Sequence, residues 1–163
     1  MLAKTYFVIV LLLTIDVFSA SAQKWSEILT PEELAKQKEV LVENFPDVFQ
    51  KEAIEDVRRI DINTYKVNFT RAGIQYEAFV SSGVKGLLLI ETDQLIPNNK
   101  IPGVVRAGFA SGSYKTWHID KAFIATTPYS GVLFRLDVYN TNKAKVKRIY
   151  FTDEGYFHNE PPK

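Results

Sequence analysis

The chain of 163 residues carries 20 Lys and Arg against 19 Asp and Glu, a net charge of +1, with no cysteine and 13% aromatic residues. This balance leaves no electrostatic footprint for nucleic acid or anionic lipid, and the absence of cysteine excludes disulfides, thiolate zinc sites and a lipid attached to a cysteine. The aromatic content favours a packed sheet protein over a disordered chain.

Lys4, an apolar run from Tyr6 to Leu13 and the small-x-small string Ala20-Ser21-Ala22 predict a signal peptide over residues 1–22, cleaved after Ala22. The run is too short for a membrane span, and no later stretch reaches the roughly 20 apolar residues that one needs. A periplasmic or secreted protein is expected, and lack of cysteine suits a bacterial periplasm. Removing 22 of the 163 residues leaves 141, enough for one domain or two small similar units.

Thr30, Pro31 and Glu33 form a capping box with proline at the first helical position, and predict a helix over residues 30–45. Pro46 breaks it, and a second short helix is expected from Pro46 to about Ile54. From Val57 onward the apolar period becomes two. Tyr65, Val67 and Phe69 alternate with polar residues, as do Tyr76, Ala78 and Val80 with Gln75, Glu77 and Phe79, which predicts a hairpin. Gly86 to Glu91 supplies another apolar run, and "DQLIPNNKIPG" reads as the longest connector. A short helix is expected in "IPGVVRAGF", then strands over residues 117–126, 132–140, 145–151 and 156–158. Helix followed by about four strands thus occurs twice, giving repeats at residues 23–96 and 97–163. "FTRAG" and "FTDEG" both read as hairpin loops closed by a left-handed glycine.

The strings "FPDV", "YKVNF", "IPGVV", "WHIDKAFI", "VLFRLDVYN" and "KVKRIYFTDEGYF" resemble the periplasmic PepSY-like family, whose fold is related to the beta-lactamase inhibitory protein (BLIP-like). The resemblance implies an α+β fold. In it an antiparallel β-sheet of about seven or eight strands carries two or three helices on one face and leaves the other available to a partner. It implies no reaction, and lactamase inhibition does not follow from a shared architecture.

Ser82-Gly83-Val84-Lys85 has the spacing of a lysine-activated serine but falls on a glycine-containing turn. His118, Asp120, His158 and Asp153 lack a third ligand at zinc spacing, so no metal or other cofactor is expected. Glu32-Glu33, Glu55-Asp56 and Asp153-Glu154 fall at a helix start, a junction and a turn. The more informative pattern lies on the sheet. With Phe134, Leu136, Val138, Ile149 and Phe151 turned to the helices, Arg135, Tyr139, Arg148, Tyr150 and Phe79 point the other way, and their composition is that of a protein interface. The expected function is a non-enzymatic module binding an unknown protein or peptide there. The alternative is a small-molecule carrier or sensor with an aromatic-lined cleft between sheet and helices, and a hydrolase is the third class.

Overall fold

A computed structural model describes residues 27–142 and 146–158; the expected signal peptide lies outside these residues. Helix α1, Pro31–Asn44, begins with the expected capping box, Thr30 and Glu33 bonding each other's backbone. The acidic first turn, Glu32 and Glu33, complements the helix dipole. After Phe45 the chain makes a turn whose carbonyl at Phe45 accepts from both Val48 and Phe49. The helix expected from Pro46 to Ile54 is therefore reduced to a single 3-10 turn, Lys51–Ala53. Tertiary burial wins over local propensity here, because the turn drives Phe49 into the core, edge-on to Phe69 at 5.1 Å.

Among the described residues nine strands follow one another in space as they do in sequence, all antiparallel: β1 Glu27–Ile28, β2 Ile54–Arg59, β3 Thr64–Arg71, β4 Ile74–Gly83, β5 Gly86–Ile96, β6 His118–Thr127, β7 Gly131–Tyr139, β8 Val146–Phe151 and β9 Phe157–His158. Helix α2, Gly103–Ser111, sits between β5 and β6. After β1 the order is α1, then β2 to β5, then α2, then β6 to β9. Strand β5 continues to Ile96, so "DQLI" belongs to the sheet and the connector is only the stretch after it.

Each helix covers its own apolar cluster. Leu41 of α1 packs with Val57, Val67, Phe69, Ala78 and Val80, while Val105 of α2 packs with Ala122, Leu136, Val138, Ile149 and Phe151. The period-two reading of these strands is the one observed. Burying such side chains contributes roughly 1.5–3 kcal/mol each relative to exposure.

The two Phe-Thr-x-x-Gly strings fold differently. Ala72 and Gly73 both have positive φ, +51° and +77°, and form a two-residue turn between paired Arg71 and Ile74. At the second string, Gly155 N donates to Thr152 O at 3.0 Å and Gly155 has φ +85°, so only this copy is the expected turn closed by a left-handed glycine. A Cβ on Gly155 would fall on the Val104 carbonyl, because this turn rests against the first turn of α2.

Strand pairing shifts register at three places, leaving Glu55, Ile90 and Asp120 as extra residues. Bulges bend and twist the strands that carry them. The consequence is a sheet curled about its helix-free face. Arg135 of β7 and Glu77 of β4 are three strands apart, about 14 Å on a flat sheet. Their side chains nevertheless meet at 2.6 Å. Tyr150 of β8 reaches Glu91 of β5 over the same number of strands, at 2.9 and 3.0 Å.

Candidate binding face

The concave face is assembled by period-two alternation across six strands, reset where a bulge intervenes. Cross-strand partners run from Lys66 to Phe79, Phe79 to Glu91, Glu77 to Asp93, Phe123 to Arg135, Arg135 to Tyr150 and Asp137 to Arg148. The bulge at Ile90 makes this possible on β5. It lets Leu89 pack with the α1 core while Glu91, two residues on, faces the trough.

At the floor lies Arg135, fully buried. Its Nη2 donates to Glu77 Oε2 at 2.6 Å and Asp137 Oδ2 at 3.2 Å, and its Nη1 donates to Asp93 Oδ2. The guanidinium also lies over the Phe123 ring, 3.7 Å from its centre. Arg is suited to such a position because its planar fork serves several carboxylates at once and stacks on an aromatic face. Lys66 Nζ reaches the other oxygen of Glu77 at 2.7 Å, and the Tyr150 hydroxyl donates to Glu91.

Burial opposes ionisation throughout this cluster, and neighbouring charge decides which groups overcome it. Burial presses the Arg135 guanidinium toward neutrality, but Asp93, Asp137 and Glu77 together hold its pKa above the usual value. Glu77, also desolvated, is drawn below its ordinary value by Arg135 and Lys66. Asp93 goes the other way: burial raises it well above the usual carboxylate range, with Glu91 beside it adding to the rise and Arg135 failing to offset it. Burial also raises Asp137. Tyr150 is raised by burial and by the charge of Glu91, so its hydroxyl stays a donor. One guanidinium cannot offset the burial of every acid around it, and the deepest of them is the one whose proton is held most tightly.

Of the five residues expected on an open face, three are not open. Arg135, Tyr150 and Phe79 are 0%, 2% and 4% exposed, buried because the sheet curls and side chains of distant strands close over them. No helix covers Tyr150; its neighbours are Ala125 and Leu133 on the same face. Arg148 and Tyr139 are partly exposed at the rim, Arg148 stacked 4.2 Å from the centre of Phe79 and Tyr139 against His118 at 5.3 Å. The acids Glu77, Glu91 and Asp93 were not among the expected site residues. Period two places Glu77 beside Phe79, but no sequence signal marks it as buried, and the bulge hides Glu91 and Asp93.

Beside this floor, the trough opens into a hollow of ≈ 490 Å³ bordered by Arg58, Lys66, Asn68, Gln75, Leu95, Lys121 and Phe123. It lies where the pairing of β4 with β5 has ended at Tyr76 and Gln94. A second hollow, ≈ 360 Å³, lies between α2 and the end of the sheet, lined by Phe109, Tyr114, Phe151 and Phe157.

Ser82 to Lys85 forms a hairpin, with Val84 and Lys85 as the two loop residues between paired Gly83 and Gly86. The bulge at Asp120 interrupts the alternation that would set it on one face with His118, and no group of three potential metal ligands occurs among the described residues. Among those residues no helix is long and apolar enough to cross a membrane.

No family model and no curated relative matches the sequence. Solved structures do match in fold. A DUF2874 family protein from Bacteroides ovatus aligns with TM-score 0.51 and 18% identity, covering 79% of this chain and 85% of that one. A DUF2874 family protein from Bacteroides uniformis gives 0.50 at 15% identity over 79% and 86%. A BLIP-like protein from Bacteroides fragilis gives 0.48 at 18% identity over 82% and 87%. The α+β architecture with one antiparallel sheet is common to the first two and this chain.

Proposed function

We propose that this chain is an exported, non-enzymatic binding module that holds a protein or peptide partner in the trough of its sheet. The observation that carries the reading is the division of the concave face. Its floor is a closed network of buried charges, whereas its rim leaves Arg148, Tyr139, Lys66, Lys121 and Arg58 within reach of a partner. A floor whose acids are tied to Arg135 and Tyr150 supports shape and rigidity rather than proton transfer to a substrate. Arginine and tyrosine at a rim around a rigid depression are the residue types that anchor interfaces. Export rests on the residue 1–22 string, and kinship with PepSY-like proteins on the strings quoted above. The twofold order of helix and four strands supports descent from a tandem repeat.

The test is site-specific photo-crosslinking in the native host, with a reactive residue replacing Tyr139 or Lys121 in the trough, or Lys36 on α1. A discrete adduct at the trough positions that is absent at Lys36, and lost with Arg148→Ala, supports the reading. Adducts only at Lys36 would refute it. The aromatic hollow beside α2 favours a second reading, a carrier of a small apolar molecule; native mass spectrometry showing a retained ligand, released by Phe109→Ala, supports that one.

A further inference from the structure

Three ion pairs at the rim of the trough share one asymmetry. In Arg58–Asp56 the side chains are 50% and 30% exposed, in Lys66–Glu77 26% and 11%, and in Arg148–Asp137 35% and 22%. In these three rim pairs the cation stands nearer to water than its acid, whereas Arg135 at the floor is deeper than Glu77 and Asp137, 0% against 11% and 22%. Glu91 and Asp93 are buried as well, so the floor contributes acidic groups that a visitor cannot touch; Glu55, exposed at the edge of the hollow and accepting from the Thr70 hydroxyl, is an acid that stays within reach. Lys121 adds a further cation. It is exposed, lies cross-strand from Asp137 without forming an ion pair among the described residues, and borders the ≈ 490 Å³ hollow.

An isolated pair of equal charges sums to zero, but the field at the mouth is set by whichever charge is nearer. Burial of the acids under the cations therefore presents a positive surface from a nearly neutral set of side chains. The whole chain, at +1, hides this local polarity. A cation already paired with a recessed acid can still accept a second carboxylate from outside, and a lysine with no partner accepts one without breaking a bond. Asn68 and Gln75 at the hollow supply amide groups beside these cations.

Resting on the binding reading above, we infer that the trough selects an acidic segment of its partner protein, whose carboxylates engage Lys121, Lys66 and Arg148. The chemistry is carboxylate recognition at a partly hydrated rim, so it acts on encounter and specificity and weakens with salt. Phosphate-bearing or nucleic-acid partners are a different class, and the recessed acids disfavour their denser charge.

The test is NMR titration of the full folded chain with hexaglutamate, hexaglutamine and hexalysine peptides. Hexaglutamate is expected to shift amide signals on β6, β7 and β8 around Lys121 and Arg148, with binding weakened about tenfold between roughly 0.05 M and 0.5 M salt. Lys121→Gln should weaken it several-fold while leaving the melting temperature nearly unchanged, since the side chain is exposed, and Lys121→Glu should abolish it, with a small loss of stability from the carboxylate placed opposite Asp137. Equal or tighter binding of hexaglutamine or hexalysine in the trough would overturn the acidic preference yet leave the trough a binding face. Absence of hexaglutamate binding also overturns it, and the crosslinking experiment then decides the fate of the binding reading separately.

Discussion

The guanidinium of Arg148 lies 4.2 Å from the centre of the Phe79 ring, although β8 and β4 have three strands between them. On a flat sheet those strands would be about 19 Å apart. The contact is thus a direct report of curling. A double-mutant cycle with Arg148→Ala and Phe79→Leu should give a favourable coupling of about 0.5–1 kcal/mol, as for a partly exposed cation over a ring. Zero coupling in urea melts would mean that the two strands do not approach.

Arg135→Met should destabilise the fold by about 3–5 kcal/mol at neutral pH, because it leaves Glu77, Asp93 and Asp137 buried without their common partner. The loss should shrink at acidic pH, where those carboxyls accept protons. Urea unfolding of both proteins at the two pH values measures this; a pH-independent loss would assign it to packing instead.

Asp93 titrates, when folded, well above the usual carboxylate range because it is buried, so over the interval between the unfolded and folded values the native state holds a proton that the unfolded chain has released. Stability must then fall as pH rises through that interval. Asp137 contributes with the same sign. Glu77, whose folded value is lowered, contributes stability present above its unfolded value and lost only as pH falls through the folded one. Asp93→Asn should therefore flatten the decline in the urea midpoint on the alkaline side of the unfolded carboxylate range.

Gly73→Val and Gly155→Val separate strain from collision. At Gly73 the φ of +77° faces open space, so valine should cost only the left-handed penalty, about 1–2 kcal/mol. At Gly155 the added Cβ also meets the Val104 carbonyl, and the loss in thermal stability should be distinctly larger. Equal losses would show that α2 and the last turn are not in contact.

Most of the fold was legible because helix α1 carries its own start signal and because β3, β4, β7 and β8 alternate cleanly between an apolar and a mixed face. What escaped was curvature. A bulge residue such as Ile90 makes "LLLIETD" read as an apolar run followed by a polar connector, when it is one strand changing face. The same bulging, repeated at Glu55 and Asp120, turns a face expected to be open into one that buries Arg135 and Tyr150. Period two reports which side a residue lies on, not how far that side is folded upon itself. The partly exposed pair, Arg148 and Tyr139, was found by composition; the buried acids needed coordinates.

The claim underlying the trough is tested most directly by nuclear Overhauser measurements between the Arg148 side chain and the Phe79 ring in the folded protein. Cross-peaks between them, together with peaks linking the Tyr150 ring to the side chain of Glu91, are the predicted result. Their absence in a folded sheet whose β7–β8 and β4–β5 pairings are intact would contradict the curled face, and with it the closed floor and the cationic rim.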